Sequence, residues 1–145
     1  MNPTDFETTG GENYQTTNAA KGIPTEFDYT DAQVIQIPVK FSGAEYLLVE
    51  ANGADAAEFR NHVTKNQLRD DEGNVTGMRN SGDLQLKLLG LCLFTVGEDG
   101  KPGKRVEMVT IRKWPERIVK ELFKTAMKIS ELIDDDDEDE QAKNE

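Results

Sequence analysis

The segment "WPERIVKELFKTAMKISELI", residues 114–133, constrains the fold more than any other. Its apolar residues recur at helical spacing. Ile118, Leu122, Ala126, Ile129 and Ile133 form one row, and Val119, Phe123 and Met127 form the row beside it. Pro115 suits the first helical position, where a missing N–H costs nothing. A helix with a stripe two rows wide must bury that stripe, so the rest of the chain has to supply a layer for it. Two readings of the stripe stand side by side. Either all of it is core, or part of it accepts a partner. Over residues 111–133, Arg112, Lys113, Arg117, Lys120, Lys124 and Lys128 outnumber three glutamates, for a net charge of +3. Seven consecutive acids follow at 134–140. A run of that kind solvates, shields the helix before it, or keeps a complex soluble.

The other elements fit such a layer. "QVIQIPVKF" (33–41) is rich in Val and Ile and reads as a strand, with Pro38 placing it at a sheet edge. "SGAEYLLVEA" (42–51) opens on a Ser-Gly turn and continues as a second strand, which makes an antiparallel hairpin. Residues 52–68 read as a helix capped by Asn52 or Asp55, with Ala56, Phe59 and Val63 on one face. Residues 69–82 read as a polar loop. Residues 83–94 read as a buried leucine helix capped by Asp83, carrying Leu84, Leu86, Leu88, Leu89, Leu91 and Leu93. "LFTV" and "RVEMVTI" (105–111) read as strands flanking a glycine-rich turn, a second hairpin. The expected fold is a small single α+β domain: hairpin, two helices, hairpin, long C-terminal helix. It spans residues 31–133. A flexible or extended N-terminal arm precedes it (1–30), and an acidic, disordered tail follows it (134–145). Leu88, Leu91, Phe94, Val119, Leu122 and Phe123 are the expected core.

Charge and composition narrow the function classes. The formal net charge is -11, of which the twelve residues 134–145 carry -7, so the body is only -4. General nucleic-acid binding needs a basic surface, and this body is acidic. No apolar run reaches the ~20 residues that span a bilayer. The first residues carry neither a basic stretch nor an apolar core, so a secretory signal is not expected. The single cysteine, Cys92, cannot form a disulfide within the chain and reads as an inert thiol in an apolar run.

Catalytic sets are missing from the pattern. His62 is the single histidine, and nothing nominates a nucleophile or an orienting acid for it. One histidine with one cysteine does not make a structural zinc set. "GEDGKPGKR" departs from a phosphate loop: five residues separate Gly97 from Gly103, and Arg105 stands where a hydroxyl should bind magnesium. "DDEGN" (70–74) departs from a calcium loop, because its glycine comes early and no glutamate stands at the twelfth position. The expectation is a protein that is not an enzyme, with no cofactor and no metal.

Four stretches together carry a resemblance: "VEANGADAAEFRNHV", the leucine segment ending "LLGLCLF", "GEDGKPGKRV", and "WPERIVKELFKTAMKISEL". Across roughly residues 34–133 the chain resembles the tail assembly chaperones of long-tailed bacteriophages. The resemblance implies a non-catalytic adaptor of the host cytoplasm, absent from the mature virion. Such an adaptor binds the tape-measure protein, keeps it soluble and helps recruit tail-tube subunits. It also implies a relation between short and frameshifted long forms. Self-association into a homo-oligomer is compatible with it, and neither nucleic acid nor membrane is an expected partner. On the last helix the candidate partner-binding residues are Trp114, Arg117, Ile118, Lys120, Leu122 and Lys124. Trp114 either locks that helix to the sheet or anchors a partner. Two other classes compete. One is a single-stranded-DNA-binding protein with an acidic tail, which would need a basic groove lined by stacking aromatics. The other is a structural virion protein docking through its N-terminal arm.

Overall fold

The computed structural model describes residues 14–18 and 22–132, with side chains from residue 22 onward. The described residues fall into two compact units, one ending at Val34 and one starting at Ile35. In the first, β1 (Tyr14–Asn18) and β2 (Ile23–Asp28) pair antiparallel, with Gln15 opposite Phe27 and a bulge at Thr16/Thr17. The stretch expected to be a flexible or extended arm therefore contains a hairpin. Phe27 and Tyr29 stack with centroids 6.1 Å apart, and both are about half exposed, at 55% and 50%.

The larger unit is α+β, as the sequence pattern requires. Its sheet has the antiparallel order β3-β4-β7-β8, from strands Gln36–Phe41, Ala44–Val49, Leu93–Val96 and Pro102–Arg105. The β3–β4 turn is tight because Ser42 and Gly43 both take positive φ, 52° and 81°, the conformation of a primed hairpin turn. Pro38 does lie on an edge strand, where a missing N–H is tolerated. Ile37, Leu48 and Leu93 stand in line across three strands on the face that meets the helices.

Asn52 caps α1 (Gly53–Asn66), accepting a hydrogen bond from the Asp55 amide at 2.8 Å. Ala56 and Phe59 are buried. The expected polar loop after α1 is instead a small hairpin, β5 (Gln67–Arg69) with β6 (Val75–Met78). Asp70 builds its turn. Its Oδ1 accepts from the amides of Glu72 and Asn74, each at 2.9 Å, while Gly73 takes φ 89°. The segment that departs from a calcium loop is thus an Asp-organised turn.

Helix α2 (Ser81–Cys92) starts two residues earlier than expected, and Asp83 does not cap it. Asn80 takes that position in the left-handed region, φ 54°, without a side-chain cap, and Asp83 pairs instead with Arg112 at 3.2 Å. The helix runs without a loop into β7. Leu88, Leu89, Cys92 and Leu93 are completely buried, so α2 forms the centre of the core.

The final strand ends sooner than expected. β8 stops at Arg105, and Met108–Ile111 form a single helical turn, α3. A strand over 105–111 would send Ile111 to the face opposite Val106. The turn lets both enter the core, Val106 at 6% and Ile111 at 0% exposure, while Val109 points out. Helix α4 (Glu116–Ile129) begins one residue after Pro115, which serves as its cap rather than its first residue. The Pro115 carbonyl accepts from the amides of Ile118 and Val119. Ile133 and the acidic segment 134–145 lie outside the described residues.

Candidate functional site: the outer face of helix α4

Helix α4 is fixed at both ends. At its start, Trp114 packs between Phe41 and Tyr46, with ring centroids 5.0 and 5.2 Å away. This aromatic trio ties the α3–α4 junction to the β3–β4 hairpin. At its end, the Ser130 hydroxyl accepts the Ala51 amide at 2.8 Å, across 79 residues of sequence. The helix then stops in a reverse turn. Glu131 adopts φ 51°, the Leu132 amide donates to Met127, and the Glu131 amide donates to Lys128. These two bonds define a Schellman motif, with Glu131 in the position that glycine usually takes. Met127 and Leu132 both pack against the core, the hydrophobic contact that accompanies the motif.

The face of α4 toward the sheet and α2 is core. Val119 and Ala126 are buried, and Leu122, Phe123, Met127 and Ile129 are half-buried against the same cluster. Phe59 and Phe123 approach to 6.4 Å. Of the six expected core residues, Leu88, Leu91 and Val119 are buried, while Phe94, Leu122 and Phe123 are only half-buried. Leu122 and Phe123 pack against the core cluster, and Arg105 lies over the Phe94 ring.

The six candidate partner residues therefore divide into two groups. Trp114 and Leu122 pack against the protein's own core. Arg117, Lys120 and Lys124 are exposed, and Ile118 is half-buried outside the core cluster. Arg117, Lys120, Lys124 and Lys128 follow one another at spacings of three and four, so they line a single face. Between Arg117 and Lys128 that row is about 16 Å long, and Glu121 is the acid within it. Ile118 flanks the row beyond Glu121 and Thr125, and Leu122, one turn further on, turns to the core. The outer face of α4 can thus offer a row of cations with an aliphatic edge, on a helix held rigid by its other side.

Elsewhere several charged side chains pair with one another. Asp55, nearly buried, pairs with Arg105 at 2.8 Å, and the Arg105 guanidinium lies 5.8 Å from the centre of the Phe94 ring. Sequence reasoning missed this brace, because its partners lie 50 residues apart. Lys87 binds Glu58 and holds the Glu58 carboxyl below its usual range. Burial pushes the Cys92 thiol up to about 11, with the Asp55 carboxylate adding to the effect. His62 Nε2 is enclosed, with no hydrogen-bond partner among the described residues. The described residues contain no group of three or more His, Cys, Asp or Glu placed to hold a metal ion, and no helix long and apolar enough to cross a membrane. An open cleft of about 530 Å³, lined by Lys40, Gly43, Ala44, Glu45, Val96 and Gly97, lies at the end of the sheet. Comparison of the chain with protein-family models, with curated proteins and with solved structures finds no match.

Proposed function

We propose that this chain is a tail assembly chaperone of long-tailed bacteriophages. It binds a helical segment of the tape-measure protein, keeps it soluble, and helps bring tail-tube subunits to it. It works without catalysis in the host cytoplasm and is left out of the finished virion. One observation carries this reading: α4 is anchored to the core along one side and presents Ile118 and a row of cations along the other. An amphipathic partner helix lying beside α4 would bury the aliphatic edge and place its own acids against Arg117, Lys120 and Lys124, a helix-on-helix form of groove recognition. The resemblance over residues 34–133 supplies the partner's identity.

Co-expression with the tape-measure protein tests the proposal. The expected result is a soluble tape-measure protein that co-purifies with the chain. The charge-reversed variant Arg117→Glu/Lys120→Glu should lose most of that recovery while remaining folded, since both side chains are exposed. A tape-measure protein that stays insoluble and separate from the wild-type chain would defeat the proposal.

A further inference from the structure

The chain has a single asparagine followed by glycine, Asn52–Gly53. Such a pair carries its own chemistry. The Gly53 nitrogen can attack the side-chain amide of Asn52, because glycine has no Cβ to block the approach. Both residues are exposed, so water reaches them. The fold holds the pair at the start of α1 in a conformation that opposes the attack. Asn52 has φ -78° and ψ 178°, and its Oδ1 accepts from the Asp55 amide at 2.8 Å. Ring closure would turn the Asn52 Cγ back onto the Gly53 nitrogen and break that bond. The preceding residue matters as much. The Ala51 amide donates to the Ser130 hydroxyl at the end of α4, and that hydroxyl also hydrogen-bonds the Cys92 thiol. Two successive residues thus cap one helix and fasten another.

We propose that Asn52–Gly53 is a self-modification site gated by the α1 cap, and that one of its two products loosens the end of α4. When the cap opens, the Gly53 nitrogen gives up its proton and bonds to the Asn52 Cγ. The side-chain nitrogen leaves as ammonia. Water then opens the cyclic imide at either of its two ring C–N bonds. One opening leaves aspartate on a normal main chain. Aspartate caps a helix as well as asparagine does, and its charge suits a helix N-terminus. The other opening leaves isoaspartate, whose main chain runs through the former side chain and is a carbon longer. That extra carbon displaces Ala51 from α1, so the cap and the Ala51–Ser130 bond no longer fit together. The same event is therefore silent or loosening according to the bond that water breaks. The partner of α4 does not enter this chemistry, so its test is separate from that of the proposed function.

The experiment ages the full chain in mildly alkaline buffer, folded and in concentrated urea, and maps the products by mass spectrometry. In urea, Asn52 should be the first asparagine to lose ammonia. In the folded chain the same loss should be about five- to thirtyfold slower, the shift in population that opening such a cap represents. Gly53→Ala should suppress the loss in urea, and the fold accepts it, since a Cβ there meets nothing within 4 Å. Chromatography then separates the isoaspartyl form of the folded chain. Its Cys92 should be alkylated several times faster than that of the unmodified chain, because the Ser130 end of α4 has come loose. The Asn52→Asp variant carries the same added charge on a normal main chain and should react at the unmodified rate. The gate is overturned if the folded chain loses ammonia at Asn52 as fast as the unfolded one, or if another asparagine reacts first in urea. The link to α4 is overturned if the isoaspartyl form and Asn52→Asp are alkylated alike.

Discussion

At the residue scale, the strained positions lie where the chain changes direction. Glu131 holds a left-handed conformation at the end of α4, and a side chain there costs energy that glycine avoids. Glu131→Gly should therefore raise stability by about 0.5–1 kcal/mol in urea unfolding, because it removes the strain and an acid beside the helix C-terminus. A loss of stability would mean that the Glu131 side chain makes a contact outweighing both effects. Cys92 shows the opposite case, a group made inert by its site. With its thiol raised to about 11, almost no thiolate exists at pH 8, so alkylation of the native protein should follow the rate of unfolding. Fast labelling under native conditions would contradict this burial. The inertness of Cys92 was legible from its place in an apolar run. Glu131 was not, because its conformation follows from the packing of Leu132, and no residue type announced it.

At the element scale, what could be read depended on period and length. Helices α1 and α4 and the β3–β4 hairpin were legible, since each carries a full repeat with a turn or cap at its boundary. The β5–β6 hairpin was not. Its strands hold three and four residues, too few for alternation to show, and its one signal is Asp70 followed by Gly73. α3 was misread for a related reason. Val106, Met108 and Thr110 alternate like a strand, yet the core needs Val106 and Ile111 together. The Asp70 turn has a pH signature. Amide hydrogen bonds from the loop, that of Asn74 foremost, lower the Asp70 carboxyl from its usual value. A lowered folded-state value means that the turn is favoured wherever unfolded aspartate is ionised, above about pH 4. That preference is lost as pH falls through the folded-state value. The Glu72 and Asn74 amide shifts should thus stay constant from pH 7 to about 5 and move below about 4. In Asp70→Ala both shifts should already be displaced at neutral pH, with α2 unaffected.

At the scale of the whole molecule, the proposed function assigns folding to one side of α4 and recognition to the other, and mutation can separate them. The sequence left open whether Trp114 locks the helix or anchors a partner. The structure places its ring between Phe41 and Tyr46, contacts between segments about 70 residues apart that no local pattern could reveal. Removing that ring takes away two aromatic contacts and part of the core's edge. Trp114→Ala should cost about 2–4 kcal/mol, toward the low side of the range for a fully buried tryptophan because the residue keeps some exposure. Against a total of about 5–15 kcal/mol, such a loss lowers the midpoint of unfolding substantially. Arg117→Glu/Lys120→Glu should change stability by less than about 1 kcal/mol, since both side chains are exposed, yet weaken capture of the tape-measure segment at least tenfold. Denaturant melts and pull-downs of the same two variants provide the check. If the cations serve recognition and Trp114 serves the fold, each variant fails only one assay once binding is corrected for the fraction folded. If Trp114→Ala keeps its stability and loses binding, the tryptophan reaches the partner past its aromatic neighbours. The recognition surface then begins at the α3–α4 junction and not at Arg117.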